Sequence, residues 1–145
     1  MVENQYEALK LENQMCFPLY AGSRVVIKMH KPYLDKLDLT YTQYIAMMLL
    51  WEHKSMTVKE MGQALYLDSG TLTPLLKKLE AKGMLTRARS VKDERNLIVT
   101  VTEAGEALKD DALKVHDAMH ANCPLNREEA EQLGSILHKI MEMDA

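Results

Sequence analysis

The sequence predicts a mainly α-helical chain with a small β-wing: a winged helix-turn-helix core over about residues 40–102, flanked by dimerisation helices over about 11–37 and 103–145. Three observations predict it. Thr57-Val-Lys-Glu60 is a capping box, in which the threonine hydroxyl and the glutamate carboxylate satisfy free amides of a helix that begins at Val58. A second helical pattern follows the turn Tyr66-Leu-Asp68, with Asp68 or Ser69 as its cap, an end near Lys82 and Gly83 as its stop. Beyond Gly83 the period changes to alternation. Leu85–Arg89 and Leu97–Val101 then read as two strands joined by Ser90–Asn96, a wing beside the two helices.

In the second helix, Leu72, Leu75, Leu76 and Leu79 recur at steps of three and four and form the face that packs inward. The opposite arc carries Gly70, Thr71, Thr73, Pro74, Lys77 and Lys78, none of which needs a core. With Asp68 and Ser69 at the N-terminus, these short polar groups can reach base edges while the lysines hold phosphates. Pro74 is expected early in the helix, where amides are still free. Arg87 and the wing-tip pair Asp93 and Arg95 complete the expected DNA contacts, with Arg95 entering a minor groove and Asp93 bracing it.

The formal net charge of -3 at first argues against a nucleic-acid partner. Distribution reverses that. Residues 70–95 hold seven basic and three acidic side chains, net +4, which leaves -7 on the rest. A basic face on an acidic body fits double-stranded DNA, and a merely solvated charged face is the alternative. The chain has 145 residues and is 47% hydrophobic, enough for one domain with a core. No apolar run reaches the roughly 18 residues of a membrane span, and the N-terminus is polar, so a cytoplasmic protein without membrane contact is expected.

In chain order, residues 1–9 read as a loosely held leader, and a helical pattern begins near Leu11. Pro18 interrupts it, so the apolar helix through Leu19, Val26 and Ile27 either starts afresh there or kinks. If Pro18 occupies the first helical position, Cys16 lies at the positive end of the helix dipole, which stabilises a thiolate; a buried structural thiol is the alternative. Pro32 marks the next corner, before the apolar Tyr33, Leu34 and Leu37. Thr40-Tyr-Thr-Gln43 is a second capping box, and Tyr44, Met47, Met48 and Trp51 give its helix a broad apolar face. Tyr41, at the start of that helix, can reach a neighbouring segment or serve as an ordinary core or surface tyrosine. After the wing, one helix opens at Thr102 and carries Leu108, Ala112, Val115 and Met119 to Asn122-Cys123-Pro124. Asn126 and Glu129 cap a last helix lined by Leu133, Ile136, Leu137, Ile140 and Met141. Large apolar faces outside the core most simply pack on the same elements of a second chain.

From Leu11 onward the chain resembles the MarR family of regulators, and within it the two-cysteine type of the branch that senses organic hydroperoxides. The resemblance is carried by Leu11-Glu-Asn-Gln-Met-Cys-Phe-Pro-Leu-Tyr20, Leu39-Thr-Tyr-Thr-Gln-Tyr44, Leu49-Leu-Trp-Glu52, Tyr66-Leu-Asp-Ser-Gly-Thr-Leu-Thr-Pro-Leu-Leu-Lys77 and Asp93-Glu-Arg95. It implies a dimeric repressor whose Cys16 is oxidised by peroxide to a sulfenic acid, with release of the operator. It also implies a sensor pocket formed by Tyr20, His30 and Tyr41, a resolving role for Cys123 across the dimer, no resident cofactor and no metal. Two departures stand out: His30 occupies a position where the family usually has tyrosine, and Pro18 replaces a non-proline residue.

Rival functions come from other classes. His116 and His120, spaced i, i+4 with Asp117 between them, suggest a metal sensor to which Cys16 and His30 add donors. A thiol peroxidase would share the cysteine chemistry but has no use for a DNA-reading module. A MarR regulator answering to a small aromatic acid would leave Cys16 merely packed.

Overall fold

The computed structural model describes residues 4–144. Helices α1 (Cys16–Leu34) and α2 (Tyr41–His53) lead into the three-residue strand β1 (Ser55–Thr57). Helices α3 (Val58–Leu65) and α4 (Ser69–Ala81) follow, then strands β2 (Leu85–Arg89) and β3 (Leu97–Val101). Helices α5 (Glu103–Ala107), α6 (Lys109–Ala121) and α7 (Arg127–Met141) complete the chain.

The local signals act as read. Thr40 Oγ1 accepts the Gln43 N–H at 3.2 Å while the Thr40 N–H donates to Gln43 Oε1 at 3.0 Å, and Thr57 with Glu60 does the same for α3. Asn126 and Glu129 close a third capping box on α7. After α4, Gly83 adopts φ 78°, the left-handed conformation that a glycine takes without a steric penalty.

Several expectations change. The stretch read as a leader, as far as it is described, forms 3-10 turns at Gln5–Leu9 and Leu11–Asn13, so the N-terminal helix begins at Cys16 and not near Leu11. Gln14 holds these turns by donating to the carbonyls of Ala8 and Lys10 at 2.7 and 2.8 Å. Pro18 is the third helical residue, where its missing N–H costs no bond, and the helix starts afresh at Cys16. Pro32 makes no corner: α1 runs through it to Leu34, and the chain turns at Asp38, φ 54°. Pro74 sits in the second turn of α4, beyond the free amides, so one backbone bond is forgone. Burial of Leu72, Leu75, Leu76 and Leu79 holds the helix together across that gap. Met48 is exposed. The helix expected from Thr102 onward divides at Leu108, whose N–H turns back to Gly105 O at 3.3 Å.

The sheet has the order β1-β3-β2, all antiparallel, with Met56 opposite Val99 and Arg87 opposite Val99 from the other side. Strand β1 was not foreseen. It is three residues long and ends on the capping threonine of α3, too short to show a period of its own. The core gathers Leu34, Met47, Leu50, Met61, Leu72, Leu76, Leu79, Leu85, Val99 and Val115 from both helices and sheet. Each such side chain contributes about 1.5–3 kcal/mol by leaving water. Trp51 extends this core, its indole N–H donating to Gly105 O at 2.9 Å. By contrast, α7 buries no residue, and Leu133, Ile136, Ile140 and Met141 lie bare, as do Phe17, Leu19, Val25, Val26 and Ile27 on α1.

Candidate nucleic-acid interface and thiol sites

Helix α4 is set at both ends. Asp68 Oδ1 accepts the Thr71 N–H at 2.7 Å, and that backbone bond holds the Asp68 carboxyl below its ordinary range. At the far end Lys82 donates to the Asp38 carbonyl and lies 3.3 Å from Asp38 Oδ2, fastening α4 to the approach to α2. Between these points Ser69, Thr71, Lys77 and Lys78 face solvent, and Thr73 is half-buried. Among the described residues neither Lys77 nor Lys78 has a carboxylate partner, so both charges are free to meet phosphate.

The wing is braced as expected. Arg95 donates from its backbone N–H and Nε to Asp93 Oδ1 at 3.0 and 3.1 Å, and from Nη2 to Oδ2 at 3.4 Å, yet its side chain is 90% exposed. These bonds, the side-chain ones first, keep the Asp93 carboxyl below its ordinary range. The guanidinium is thus aimed outward before any ligand arrives.

Two residues expected at the DNA surface already have hydrogen-bond partners within the chain. Arg87 forms a two-point pair with Glu80 Oε1 at 3.1 and 3.3 Å, and its N–H donates to Glu80 Oε2 at 3.0 Å. With a side chain only 18% exposed, Arg87 ties β2 to α4 and is not a free cation. The Arg87 bonds hold the Glu80 carboxyl low, the side-chain contacts foremost. Asp68 is a helix cap whose negative charge would repel phosphate. Sequence reasoning missed Arg89, exposed on the same strand, whose Nη1 donates to Glu94 O at 3.0 Å across the wing. Its alternation with Arg87 was the available signal, since neighbours two apart on a strand share a face.

Cys16 is exposed as the first residue of α1. One turn later Tyr20 lies under the Arg24 guanidinium, 5.5 Å from the ring centroid, with Arg24 Nη1 at 3.4 Å from its hydroxyl. Arg24 is a second residue that went unremarked, although its i, i+4 spacing from Tyr20 was legible. His30 donates from Nδ1 to Val26 O at 2.8 Å and meets the edge of Tyr41 at 5.0 Å and Tyr44 at 6.2 Å. Tyr44 in turn meets Trp51 at 6.4 Å. Cys16 and Tyr20 thus lie at the N-terminal end of α1 and His30 meets Tyr41, while Tyr20 and Tyr41 both line the groove between α1 and the start of α2. Fourteen helical positions separate Cys16 from His30, about 21 Å at 1.5 Å per residue. Cys123 stands exposed in the turn after α6, its N–H bonded to His120 O at 3.3 Å. A groove of about 890 Å³ runs between α1 and the start of α2, lined by Phe17, Tyr20, Arg24, Lys28, Leu39 and Tyr41.

A helix-turn-helix with a three-stranded wing, basic along one edge and carrying bare helical faces outside the core, defines a winged-helix transcriptional regulator. A model of the SarA/Rot transcriptional regulator family matches residues 28–112. An organic hydroperoxide resistance transcriptional regulator of Bacillus subtilis (strain 168) is 49% identical over 141 residues, 97% of this chain and 96% of that protein. Among solved structures, reduced AbfR bound to DNA, a protein of Staphylococcus epidermidis, aligns with a TM-score of 0.80 at 31% identity, covering 97% of this chain and 96% of that one. Disulfide-formed AbfR aligns with a TM-score of 0.66 at 34% identity, covering 94% and 96%. The chain belongs to the SarA/Rot family of MarR-like winged-helix transcriptional regulators, and its resemblance to the organic-hydroperoxide branch is borne out. Among the described residues no helix is long and apolar enough to cross a membrane.

Proposed function

We propose that the protein is a cytoplasmic repressor that binds operator DNA as a homodimer and lets go when an organic hydroperoxide or another oxidant oxidises Cys16. The observation that carries this reading is the exposed Cys16 thiol at the first position of the helix whose apolar face the single chain leaves bare. The thiolate attacks one peroxide oxygen: an S–O bond forms, the O–O bond breaks, and the alcohol leaves, so sulfur gives up two electrons and becomes a sulfenic acid. The Cys123 thiolate then attacks that sulfur, forming the disulfide and releasing water. Because Cys16 and His30 lie about 21 Å apart on one helix, a pocket containing both has to draw on two chains. Helices α1, α6 and α7 serve as the dimerisation part, and residues 40–102 as the reading head. The better match to reduced, DNA-bound AbfR than to its disulfide form supports taking the present conformation as the DNA-binding one.

Within the reading head, Lys77 holds phosphate while Arg95 reads groove shape. Lys77→Ala should lower the slope of log affinity against log salt by about one unit, whereas Arg95→Ala should cost about 1–3 kcal/mol and weaken A·T preference beside the core site. Equal losses on random and operator DNA for both variants would refute this division.

Closing the disulfide brings the two alpha carbons within about 7 Å, which drags the end helices and alters the separation of the two recognition helices. Oxidised protein should run as a covalent dimer on a non-reducing gel. Cys123→Ser should lose that band and accumulate sulfinic and sulfonic Cys16 by mass spectrometry. A monomeric band from oxidised protein that has nonetheless released DNA would replace the two-cysteine switch with a one-cysteine one.

A further inference from the structure

We propose that α6 carries a divalent transition-metal site, held by His116 and His120 and completed in the reduced protein by the Cys123 thiolate. The two imidazoles project from one exposed face at i, i+4, their rings stacked 11° from parallel with centroids 6.2 Å apart. Beside them, His116 Nδ1 lies 3.3 Å from Asp117 Oδ1. A carboxylate only accepts, so Nδ1 carries the proton in this contact and the neutral ring leaves Nε2 as a free lone pair. That is the carboxylate–histidine arrangement which orients an imidazole toward a metal and raises its basicity. Within one chain α6 packs inward through Ala112 and Val115, and both histidines are exposed.

Among the described residues no three His, Cys, Asp or Glu side chains already surround one point, so the third donor has to swing in. Cys123 is placed to do so. It follows His120 by three residues, is exposed, and is attached to the helix end by its N–H bond to His120 O. His116 and His120, four apart on α6, have Cβ atoms about 5–6 Å from one another, within the span of a bridging ion, and Cys123 follows two residues past the helix end. Two imidazoles and a thiolate suit Zn2+ best, at about 2.0–2.1 Å to nitrogen and 2.3 Å to sulfur, with water in the fourth position. Binding displaces the thiol proton to solvent and changes no oxidation state.

A consequence rests on the redox reading above: a thiolate held by zinc is withheld from the sulfenic acid of Cys16, and a Cys123 sulfur in a disulfide can no longer serve as the donor. Zinc and oxidation thus compete for one sulfur.

The test is titration of reduced, metal-free, untagged protein with Zn2+ against a chromophoric chelator. Wild type should bind one ion per chain. His116→Ala/His120→Ala and Cys123→Ser should each lose about tenfold or more in affinity, and Asp117→Asn about tenfold. His53→Ala, away from α6, should bind as wild type. Cys16→Ser should also bind as wild type, which separates the metal site from the redox switch: zinc binding there survives even if the hydroperoxide reading fails. Circular dichroism and operator binding confirm that each variant is folded. Wild-type affinity in the double histidine variant, or no zinc binding by wild type, overturns the site; wild-type affinity in Cys123→Ser overturns its thiolate donor.

Discussion

Cys16→Ser should bind operator as tightly as wild type and keep its grip at hydroperoxide concentrations that strip the wild-type protein completely. Serine differs from cysteine by one atom at an exposed position that buries nothing, so folding and DNA affinity have no reason to change. The hydroxyl is a far weaker nucleophile toward a peroxide oxygen, because the reacting species is a thiolate and a serine hydroxyl is scarcely ionised at neutral pH. The measurement is a fluorescence-anisotropy titration on operator DNA before and after cumene hydroperoxide. Release by the serine variant would sink the assignment of Cys16. If that release instead followed addition of an aromatic acid to reduced protein, it would favour the small-ligand reading, for which the groove beside Tyr20 and Tyr41 is the place.

The second large effect is structural, and it falls where the wing meets the α5–α6 arm. Gly105→Ala should destabilise the fold by about 4 kcal/mol or more, a large share of the 5–15 kcal/mol typical of a domain. A Cβ on Gly105 would collide with the backbone carbonyl of Met84 and come within 2.8 Å of Val101 Cγ2 and 3.1 Å of Met47 Cε. The carbonyl cannot step aside, since it already accepts the Thr102 N–H at 3.1 Å, and Thr102 Oγ1 accepts the Gly105 N–H at 3.0 Å. On the other side, Trp51 donates to Gly105 O at 2.9 Å. Helix α2, the turn between α4 and β2, and strand β3 therefore converge on a residue of α5 with no room for a methyl group. Urea unfolding is the direct measure. A loss under about 1 kcal/mol would show that the junction relaxes and is not a rigid coupling between the reading head and the outer helices.

Much of this architecture is local chemistry, which is why the chain could be read without its structure. The boxes at Thr40, Thr57 and Asn126, the cap at Asp68, the stop at Gly83, the strand alternation on either side of the wing and the Asp93–Arg95 brace all act over two to four residues. Helices α2, α3, α4 and α7 and both long strands followed from them, as did the basic edge that carries Lys77 and Lys78, whereas the start of α1 and the break between α5 and α6 did not. The tertiary structure decided what depends on which segments meet. Strand β1 exists only because β3 has an edge to pair with, and Arg87 is tied to α4 because Glu80 lies beside it one element away. Pro74 stays inside α4 because burial of Leu72, Leu75, Leu76 and Leu79 on either side outweighs one missing bond, and Pro32 stays inside α1 two residues before the buried Leu34. The family resemblance implied a sensor pocket that joins Tyr20, His30 and Tyr41 to Cys16. Their places on one continuous helix instead hold Cys16 and His30 about 21 Å apart, because a helix advances 1.5 Å per residue whatever its side chains are for.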